Sequence, residues 1–596
     1  MRCRYNVAAA AAAYCTPYLQ KYSLHTTNVF MAPQSTDSNG NAKPPISVIK
    51  PFLAANTFKK PTGVPSFDDR TAYKDRSLIY LIKALIILRL CSIEVLAKNS
   101  VPILKKFESI LGPFLTYNIM VKYSFYEYFC AGENEMELST TVKKLVAKGV
   151  GSVLDYAAEA DVEGFTPSPG AEEAPEISMA KLVNKPNVCY LADRTMFDEN
   201  MKLYMMSTMH ASINPPASGP GVIAVKVSGM CNPQLLARMN AILMSIHQSW
   251  CQHFTQEEAP RLEECRVLMG LERKHRMTIT HDQLREGFKR RLGDKPLDES
   301  LVAEMIQALD PTNKGTIHYL DYVSLLTDAV SEVDPCSLKE RIAALLPPFN
   351  PTEKRLWRDI NTRLHLIAST AQRLDVRVMI DAEQSFYQLA IDVLTLHLQM
   401  EFNREAAIVY NTYQCYLTYA EDRIAADLLR AEKLGFQWGG KIVRGAYMIQ
   451  ERKTAQEYDY TSPIWPTLEA TAKCYEDSAK RIFAAMERNP DKKYEVFFGT
   501  HNEKVIRDLA KRVYETPALQ AHTTFGQLYG MRDNITFPLA KCGFCVYKYL
   551  PYGPARETIH YLGRRAVENS SILADKNSTE VRLMREELRR RLTFRS

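Results

Sequence analysis

Eight short runs of apolar and β-branched residues recur from about residue 150 onward, separated by longer segments with helical periodicity. Strands that alternate with helices form parallel sheets, and eight such units are typical of a (β/α)8 barrel. No intact Gly-x-Gly-x-x-Gly motif follows a run, which disfavours a dinucleotide-binding Rossmann domain. The predicted strands are GSVLDY (151–156), GVIAVKVSG (221–229), VRVMIDAE (376–383), AAIVYNTYQ (406–414), KIVRGAY (441–447), YEVFFGTHN (494–502), TTFGQLYGM (523–531) and GFCVYKYLPYG (543–553), in a barrel assigned to 149–239 and 336–596.

One connection in this pattern is too long for a simple crossover, because roughly 150 residues separate the second run from the third. We therefore predict a helical insert over 240–335. Within it, DPTNKGTIHYLD (310–321) has the shape of an EF-hand loop, with Gly315 at its sixth position. Lys314 occupies a ligand position and Asp321 replaces the long bidentate Glu, so we expect a structural helix pair without bound metal.

The segments before the barrel differ in composition. Asp37 is the first acidic residue, and the basic, alanine-rich stretch before it is typical of a mitochondrial transit peptide over 1–36. We predict a flexible linker over 37–75 and a helical region over 76–148. Charges interrupt the apolar stretch 78–96, which leaves no uncharged run long enough to span a bilayer. That stretch is predicted to be a buried or an interfacial helix.

Charge and cysteine usage narrow the class of protein. The net charge of +7 over 596 residues is too small to indicate nucleic-acid binding, so we expect no nucleic-acid partner. A predicted basic helix at 580–596 suits either solvent or an anionic membrane surface. The thirteen cysteines mostly lie in apolar runs, as in proteins of a reducing compartment. Cys542 and Cys545 form a CxxC pair with no second pair for zinc, so we interpret both as core residues.

Polar side chains fall near the carboxyl ends of the predicted strands, the face where barrel enzymes carry their active sites. Near the C-terminus, YLGRRAVEN (561–569) reads as a helix with Tyr561, Arg564, Arg565 and Glu568 on one face. Two guanidiniums beside one carboxylate give this face an excess of positive charge that suits a small carboxylate ligand. The polar residues at the strand ends are Lys226, Asp381, Glu383, Asn411, Arg444, His501 and Tyr549.

These motifs together resemble those of the proline dehydrogenase family, flavin-dependent enzymes of proline catabolism. MIDAE, KIVRGAY, FGTHN, GQLYGM, KYLPYG and YLGRRAVEN occur in family order, and the similarity covers about 150–580. The resemblance implies a distorted (β/α)8 barrel, and the transit-like N-terminus and EF-hand-like insert are similar to the animal mitochondrial, monofunctional form. It also implies noncovalent FAD, oxidation of L-proline to 1-pyrroline-5-carboxylate, ubiquinone as acceptor, and a place in the mitochondrial matrix at the inner membrane.

The resemblance also assigns roles to residues that match the family motifs. The implied flavin contacts are Ile380, Asn411, Arg444, Gly445, Ala446, Thr500 and His501. The implied ligands of the proline carboxylate are Lys226, Arg564 and Arg565. The implied role of Glu568 is to orient Arg565 or Lys226. The implied walls around the pyrrolidine ring are Leu528, Tyr549 and Tyr561, and the implied catalytic group is Asp381, Lys441 and Tyr549.

Two rival interpretations are kept. The first is a hydroxyproline dehydrogenase of the same family. Tyr549 argues against it, because a bulky phenol at the ring wall leaves little room for a ring hydroxyl. The second is a calcium-responsive binding protein with a catalytically silent barrel. The full set of cations and motifs argues against that silence.

Overall fold

The computed structural model describes residues 60–156, 194–216, 218–257, 276–330, 341–342, 349–457, 460–573 and 578–593. In chain order its strands are β1 (Gly151–Tyr156), β2 (Gly221–Val225), β3 (Thr278–Thr280), β4 (Thr316–His318), β5 (Val376–Ile380), β6 (Val409–Gln414), β7 (Gly439–Val443), β8 (Glu495–Gly499), β9 (Thr523–Leu528) and β10 (Cys545–Tyr552).

A closed parallel barrel is the centre of the fold. Its strands follow one another in the order β1, β2, β5, β6, β7, β8, β9, β10, and β10 pairs with β1 to close the ring. Each of the eight predicted strands is confirmed. The barrel interior is filled by a small cluster that includes Val153, Met379, Phe497 and Tyr547, while larger clusters fill the space between sheet and helices. The buried thiol of Cys545 belongs to the interior cluster, in agreement with its interpretation as a core residue.

Helices fill the intervals between the strands. Those before β2 are α1 (Leu78–Cys91), α2 (Glu94–Lys98), α3 (Ser100–Pro113), α4 (Glu127–Phe129), α5 (Glu135–Val146) and α6 (Arg194–Ile213). Those between β2 and β5 are α7 (Pro233–Ser249), α8 (His281–Leu292), α9 (Glu299–Leu309), α10 (Tyr319–Val330) and α11 (Pro351–Arg373). Those after β5 are α12 (Ser385–Phe402), α13 (Ala420–Leu434), α14 (Met448–Glu457), α15 (Leu468–Arg488), α16 (Glu503–Glu515), α17 (Pro517–Gln520), α18 (Asp533–Lys541), α19 (Ile559–Leu573) and α20 (Thr579–Leu592). Wider π-type turns cover Phe114–Tyr126 and Trp250–Thr255. Tight 3-10 turns cover Arg70–Tyr73 and Val227–Met230.

The long connection between β2 and β5 contains the helical segments that were predicted as an insert. β3 and β4 pair antiparallel there, at the starts of α8 and α10. In the loop after α9, the Asp310 carboxylate accepts the N–H groups of Lys314 (3.0 Å) and Gly315 (2.8 Å) and hydrogen-bonds His281 (3.0 Å). These contacts order the loop around its first position; both the EF-hand assignment and the expected lack of bound metal stay predictions.

The predicted linker over 37–75 ends earlier than expected. Residues 1–59, with the predicted transit peptide, lie outside the described part. From residue 60 the chain packs on the barrel, and both Phe67 and Tyr73 are fully buried. The Asn534 amide donates to the Phe67 carbonyl at 3.0 Å, which ties this arm to α18. Composition suggested flexibility, but these contacts to residues hundreds of positions away hold the arm in place.

The N-terminal helices and the last helix share a third hydrophobic cluster. Leu81 and Leu88 of α1 belong to it, together with Leu583 and Met584 of α20. The Arg591 guanidinium of α20 donates to three backbone carbonyls, those of Tyr73, Lys74 and Arg76, at 2.6–3.2 Å. The two ends of the described chain are thereby joined beside the barrel. No helix in the described ranges is long and apolar enough to cross a bilayer.

Candidate active site

Three side chains from separate strands meet at the carboxyl end of the barrel. Asp381 follows β5, Lys441 lies on β7 and Tyr549 on β10. The Tyr549 hydroxyl lies 2.8 and 2.7 Å from the two Asp381 oxygens, and the buried Lys441 ammonium forms an ion pair with the same carboxylate. The Lys441 nitrogen also lies 5.0 Å from the centroid of the Tyr549 ring. The predicted catalytic group is therefore a single connected unit.

The Tyr549 phenol is a hydrogen-bond donor in this unit. Burial raises its pKa well above the usual value for tyrosine, and the negative charges of Asp155 and Asp381 raise it further. The hydroxyl therefore keeps its proton at neutral pH. Asp381 in turn is held by one phenol and one ammonium, which fixes the direction of the ring at the barrel mouth.

Lys226 follows β2 and lies beside a carboxylate that the sequence analysis missed. Its ammonium is 3.4 Å from Asp155 of β1, and both side chains are buried. A visible signal existed, because Asp155 is the lone charge in the otherwise apolar run GSVLDY. The structure adds Asp155 to the site as the residue that positions Lys226.

The helix predicted over 561–569 is confirmed as part of α19. Tyr561 and Arg565 are buried, and the Arg565 guanidinium lies 4.9 Å from the centroid of the Tyr561 ring. Arg564 is half-buried, with its guanidinium 5.9 Å from the centroid of the Tyr447 ring. The Glu568 side chain lies outside the described part of the chain, so its orienting role stays a prediction.

His501 follows β8 and is neutral. Its Nε2 accepts the backbone N–H of Leu528 at 3.0 Å, which leaves the proton on Nδ1. Burial lowers the pKa of the imidazole well below its usual value, and nearby cations, Arg444 and Arg565 among them, lower it further. These charges act on His501 from different elements, so the predicted flavin contacts and the predicted carboxylate ligands share one electrostatic environment.

The turn after β7 presents Arg444, a half-buried arginine with two buried donor atoms. The Nε and Nη2 atoms of Arg444 are buried and have no hydrogen-bond partner among the described residues. Gly445 follows with φ +132°, and a Cβ there would lie 2.3 Å from the Tyr416 ring. A buried guanidinium with open donors suits a ligand rich in phosphate or carbonyl oxygens, such as the FAD implied by the resemblance. Ala446, next in the turn, is exposed.

The remaining predicted flavin contacts differ in what they offer. Thr500 is buried at the end of β8 and accepts the N–H of Asn502 at 3.2 Å. Ile380 is buried at the end of β5, and its carbonyl accepts the Thr412 hydroxyl at 2.7 Å. The Asn411 amide donates to Asp392 of α12 at 3.1 Å, so it is directed towards the helix layer. Asn411 is the predicted contact that the structure places apart from the others.

Sequence comparisons with known proteins identify the family of this chain. The sequence profile of the family described as Proline dehydrogenase matches residues 228–578. The chain is 30% identical over 587 residues to Proline dehydrogenase 1, mitochondrial, of Drosophila melanogaster, which covers 91% of this chain and 83% of that protein. The chain belongs to the proline dehydrogenase family. Its human relative of the same name is 30% identical over 573 residues, covering 90% of this chain and 91% of that protein.

Membership in the proline dehydrogenase family confirms several predictions. The predicted activity, oxidation of proline, and the similarity to the animal mitochondrial form are both confirmed. The mitochondrial location is confirmed in this general form, because these relatives are mitochondrial proteins. A hydroxyproline dehydrogenase of Xenopus laevis is 36% identical over 232 residues, covering 39% of this chain and 49% of that protein.

Proposed function

We propose that this proline dehydrogenase oxidises L-proline to 1-pyrroline-5-carboxylate with noncovalently bound FAD at the carboxyl end of the barrel, and that ubiquinone receives the electrons. The observation that carries the proposal is the unit of Asp381, Lys441 and Tyr549 at the barrel mouth. Lys226, Arg444 and Arg565 add positive charge to the proposed site. An anionic substrate and an anionic cofactor are the ligands that this charge favours.

The proline carboxylate is bound by Lys226, Arg564 and Arg565 in this proposal. The guanidinium groups offer paired donors that match the two oxygens of a carboxylate, and the ammonium adds a point charge. The Asp155 carboxylate forms an ion pair with Lys226, and the Arg565 guanidinium lies over the Tyr561 ring. The substrate therefore meets cations whose positions are fixed before it arrives, which reduces the entropic cost of binding.

Aromatic side chains orient the pyrrolidine ring. Tyr549 and Tyr561 close the ring side, and Leu528 adds an apolar wall in the cluster that Tyr561 shares. Asp381 and Lys441 hold the Tyr549 phenol at a fixed angle. Such walls exclude water and leave one direction for the ring carbon that carries the departing hydrogen. The reaction takes a hydride from the carbon beside nitrogen and a proton from nitrogen, which leaves a carbon–nitrogen double bond.

The residues present fit FAD. Arg444 offers buried donors without partners among the described residues, and Gly445 lets the backbone approach closely. Thr500 contributes a hydroxyl, and His501 contributes a neutral imidazole with its proton on Nδ1. When bound, FAD supplies the hydride acceptor for the reaction. His501 adds no charge to the site at neutral pH. Arg444, in the turn after β7, therefore supplies the positive charge at this part of the proposed flavin site.

A single spectroscopic experiment tests the function. Purified full-length protein, incubated with FAD and desalted, is expected to show a flavin absorbance band that L-proline bleaches in the absence of oxygen. Arg444→Met is expected to lower the flavin content, while the control Arg585→Met, on the exposed face of α20, retains it. Folded protein that holds no flavin, or flavin that proline does not bleach, would contradict the proposal.

Hydroxyproline oxidation is the second candidate, because the chain is also similar to a hydroxyproline dehydrogenase over part of its length. We expect wild type to prefer proline, since the Tyr549 phenol occupies the ring wall. Tyr549→Ser should lower kcat/KM for proline and narrow its ratio to that for trans-4-hydroxyproline. Steady-state kinetics on both substrates measure this, and Tyr514→Ser, at an exposed tyrosine of α16, is the matched control. An unchanged ratio would be evidence against the role of Tyr549.

The proposed acceptor implies a location. Ubiquinone is dissolved in the membrane, so the reduced enzyme must reach a lipid phase. We therefore place the protein in the mitochondrial matrix, in peripheral contact with the inner membrane. The apolar stretch 78–96, predicted as either a buried or an interfacial helix, is the segment in question.

A further inference from the structure

Lys548 is a buried cation that lies outside the candidate site described above. It stands on β10 between Tyr547 and Tyr549, and it is 1% exposed. Because side chains alternate along a strand, Lys548 points to the opposite side of the barrel wall from its two neighbours. Tyr547 fills the barrel interior, so the Lys548 ammonium lies on the helix side, where α18 packs on β10. An ammonium is costly to bury there unless acceptors and a counter-charge surround it.

Two of these acceptors are carbonyls at the end of the neighbouring strand. The Lys548 ammonium donates to the Leu528 carbonyl at 3.3 Å and to the Met531 carbonyl. Leu528 is the last residue of β9 and the proposed apolar wall beside the pyrrolidine ring. Its own N–H donates to Nε2 of His501 at 3.0 Å. The backbone of Leu528 is therefore held at both its N–H and its carbonyl, by side chains from the strands on either side.

This contact links two proposed walls of the pyrrolidine pocket. Leu528 of β9 pairs in register with Tyr549 of β10, and the Tyr529 N–H donates to the Tyr549 carbonyl at 3.0 Å. Lys548 precedes Tyr549 in the chain, and its side chain reaches across to the Leu528 carbonyl. One residue therefore joins the strand that carries the phenol to the strand end that carries the apolar wall.

Asp533, at the start of α18, balances the charge of Lys548. Its Oδ1 lies 3.0 Å from the ammonium, and its other carboxylate oxygen forms an ion pair with Arg76 of the N-terminal arm. Burial alone would raise the pKa of Asp533, but the charges of Arg76 and Lys548 lower it to about 2. Two carbonyls and one carboxylate thus surround the Lys548 nitrogen, which matches the three donors of an ammonium.

The turn that follows Leu528 has a left-handed backbone at two residues. Gly530 has φ +76°, and a Cβ there would lie 2.2 Å from the Tyr128 carbonyl oxygen. Arg532 has φ +55°, a conformation that residues with a side chain adopt rarely. Such backbone persists only where the surrounding structure holds it. Lys548 holds this turn by its carbonyls, at its start and near its end.

We propose that Lys548 is a positioning residue that sets where Leu528 lies in the pyrrolidine pocket, and thereby which ring size the pocket prefers. The inference rests on the proposed role of Leu528 as a wall of that pocket. Without the ammonium, the Leu528 carbonyl and the turn after it lose the donor that joins them to β10. The apolar wall then moves relative to the Tyr549 phenol, and the pocket discriminates less well between a five-membered ring and a larger one.

A substrate analogue with a larger ring tests the proposal. L-Pipecolate carries the same carboxylate on a six-membered ring, and it is measured as a competitive inhibitor of L-proline oxidation by the full-length, flavin-loaded protein. The preference for proline is the ratio of the inhibition constant of L-pipecolate to KM for L-proline. In Lys548→Met we expect this preference to fall about fivefold or more, because a small displacement of a pocket wall changes the fit of the ring. Lys548→Gln, a milder variant, should shift it in the same direction.

Two control variants separate positioning from stability. Asp533→Asn breaks the buried ion pair but leaves the donors of Lys548 on both carbonyls, so we expect a lower Tm and an unchanged preference. Arg238→Met breaks another buried ion pair, with Glu353 at 3.4 Å between α7 and α11, and should behave in the same way. Leu528→Ala removes the proposed wall itself, and it should lower the preference for proline at least as far as Lys548→Met does.

Three results would overturn the proposal. The first is folded, flavin-containing Lys548→Met with the wild-type preference while Leu528→Ala changes it, which leaves the proposed wall intact. The second is an equal change in either control, which would assign the effect to the lost ion pair or to lost stability. The third is Leu528→Ala with the wild-type preference, which would refute both the wall and the inference drawn from it. Wild-type protein that does not oxidise L-proline at all would contradict the proposed function, and this inference with it.

Discussion

At the scale of single residues, the Asp381 carboxylate holds two other side chains of the proposed site in place. It accepts the Tyr549 hydroxyl and pairs with Lys441, so its charge is balanced inside the protein. A balanced carboxylate can sit close to an anionic substrate without repelling it strongly. Further cations of the proposed site are Arg564 and Arg565 on α19 and Lys226 after β2.

The proposed ligands of the proline carboxylate give the first prediction. Arg565→Met should raise KM for proline on the order of 30-fold or more, because losing a charge-assisted contact to a buried carboxylate costs about 2–5 kcal/mol. Flavin content should stay normal, since the change removes a substrate contact. Steady-state kinetics and the flavin absorbance of the desalted protein measure both. Arg585→Met on the exposed face of α20 is the control, and an unchanged kcat/KM in Arg565→Met would refute the assignment.

His501 gives a prediction about pH. Its pKa is held well below 6.5, chiefly by burial, so the unfolded chain takes up a proton near pH 6.5 while the folded protein does not. This contribution to stability is present above pH 6.5 and falls as pH drops below it, by at most about 1.4 kcal/mol per pH unit. His501→Gln should therefore lose less stability than wild type between pH 6.5 and 5. Denaturant unfolding at several pH values measures this, and parallel slopes for the two proteins would contradict it.

Sequence reasoning named most residues of the candidate site, because strand ends and motifs mark them. It missed Asp155, since its partner Lys226 lies about 70 residues away and only the pairing of β1 with β2 brings them together. It also could not foresee the orientation of Asn411. The alternation of a strand decides which face a residue takes, and the strand register is set by tertiary packing.

At the scale of elements, strands were predicted better than boundaries. Apolar runs of β-branched residues define buried parallel strands, so all eight were found. The end of the linker was placed too late, because Phe67 and Tyr73 are buried by partners such as α18 and α20 that local composition does not reveal. Helix α1 buries Leu81 and Leu88 and exposes Ile79 and Ile86. The sequence left it between a buried and an interfacial helix, because local composition does not reveal its packing partners.

The insert gives a prediction about calcium. Lys314 occupies a ligand position of the loop, and Asp321 is too short to close the site as a bidentate ligand. Calcium should therefore bind only weakly and leave turnover with proline unchanged. Isothermal titration calorimetry on chelator-treated protein measures this, with magnesium as the comparison ion. Micromolar affinity for calcium would show that the loop is a working EF-hand.

The last helix gives a prediction about stability. Arg591 donates to the carbonyls of Tyr73, Lys74 and Arg76, so it joins α20 to the N-terminal arm. Arg591→Met should destabilise the fold by about 1–3 kcal/mol, since the hydrogen bonds of a charged donor to three backbone carbonyls are lost. Thermal unfolding should show a lower Tm, with Arg585→Met as the control on the same helix. Equal Tm values in the two variants would rule out this role.

At the scale of the whole molecule, one barrel positions every part of the proposed site. Its carboxyl end carries side chains of the proposed site on or directly after seven strands, all but β6, while α1, α19 and α20 share one hydrophobic cluster. The fold class could be predicted because eight repeated units leave few alternatives. The contact between the two ends of the described part could not be predicted, because it joins a guanidinium to carbonyls far apart in sequence.

The closure of the barrel has a consequence for how the chain folds. Gly151 on the first strand pairs with Tyr547 on the last, so the ring cannot be completed until nearly the whole barrel sequence is available. Contacts between such distant residues slow folding, because a long loop must be ordered before it is stabilised. Until then the first strand presents an open edge, which is a site for wrong pairing with other chains. A chain emerging vectorially from a ribosome or a translocation pore would therefore expose that edge for almost its entire passage.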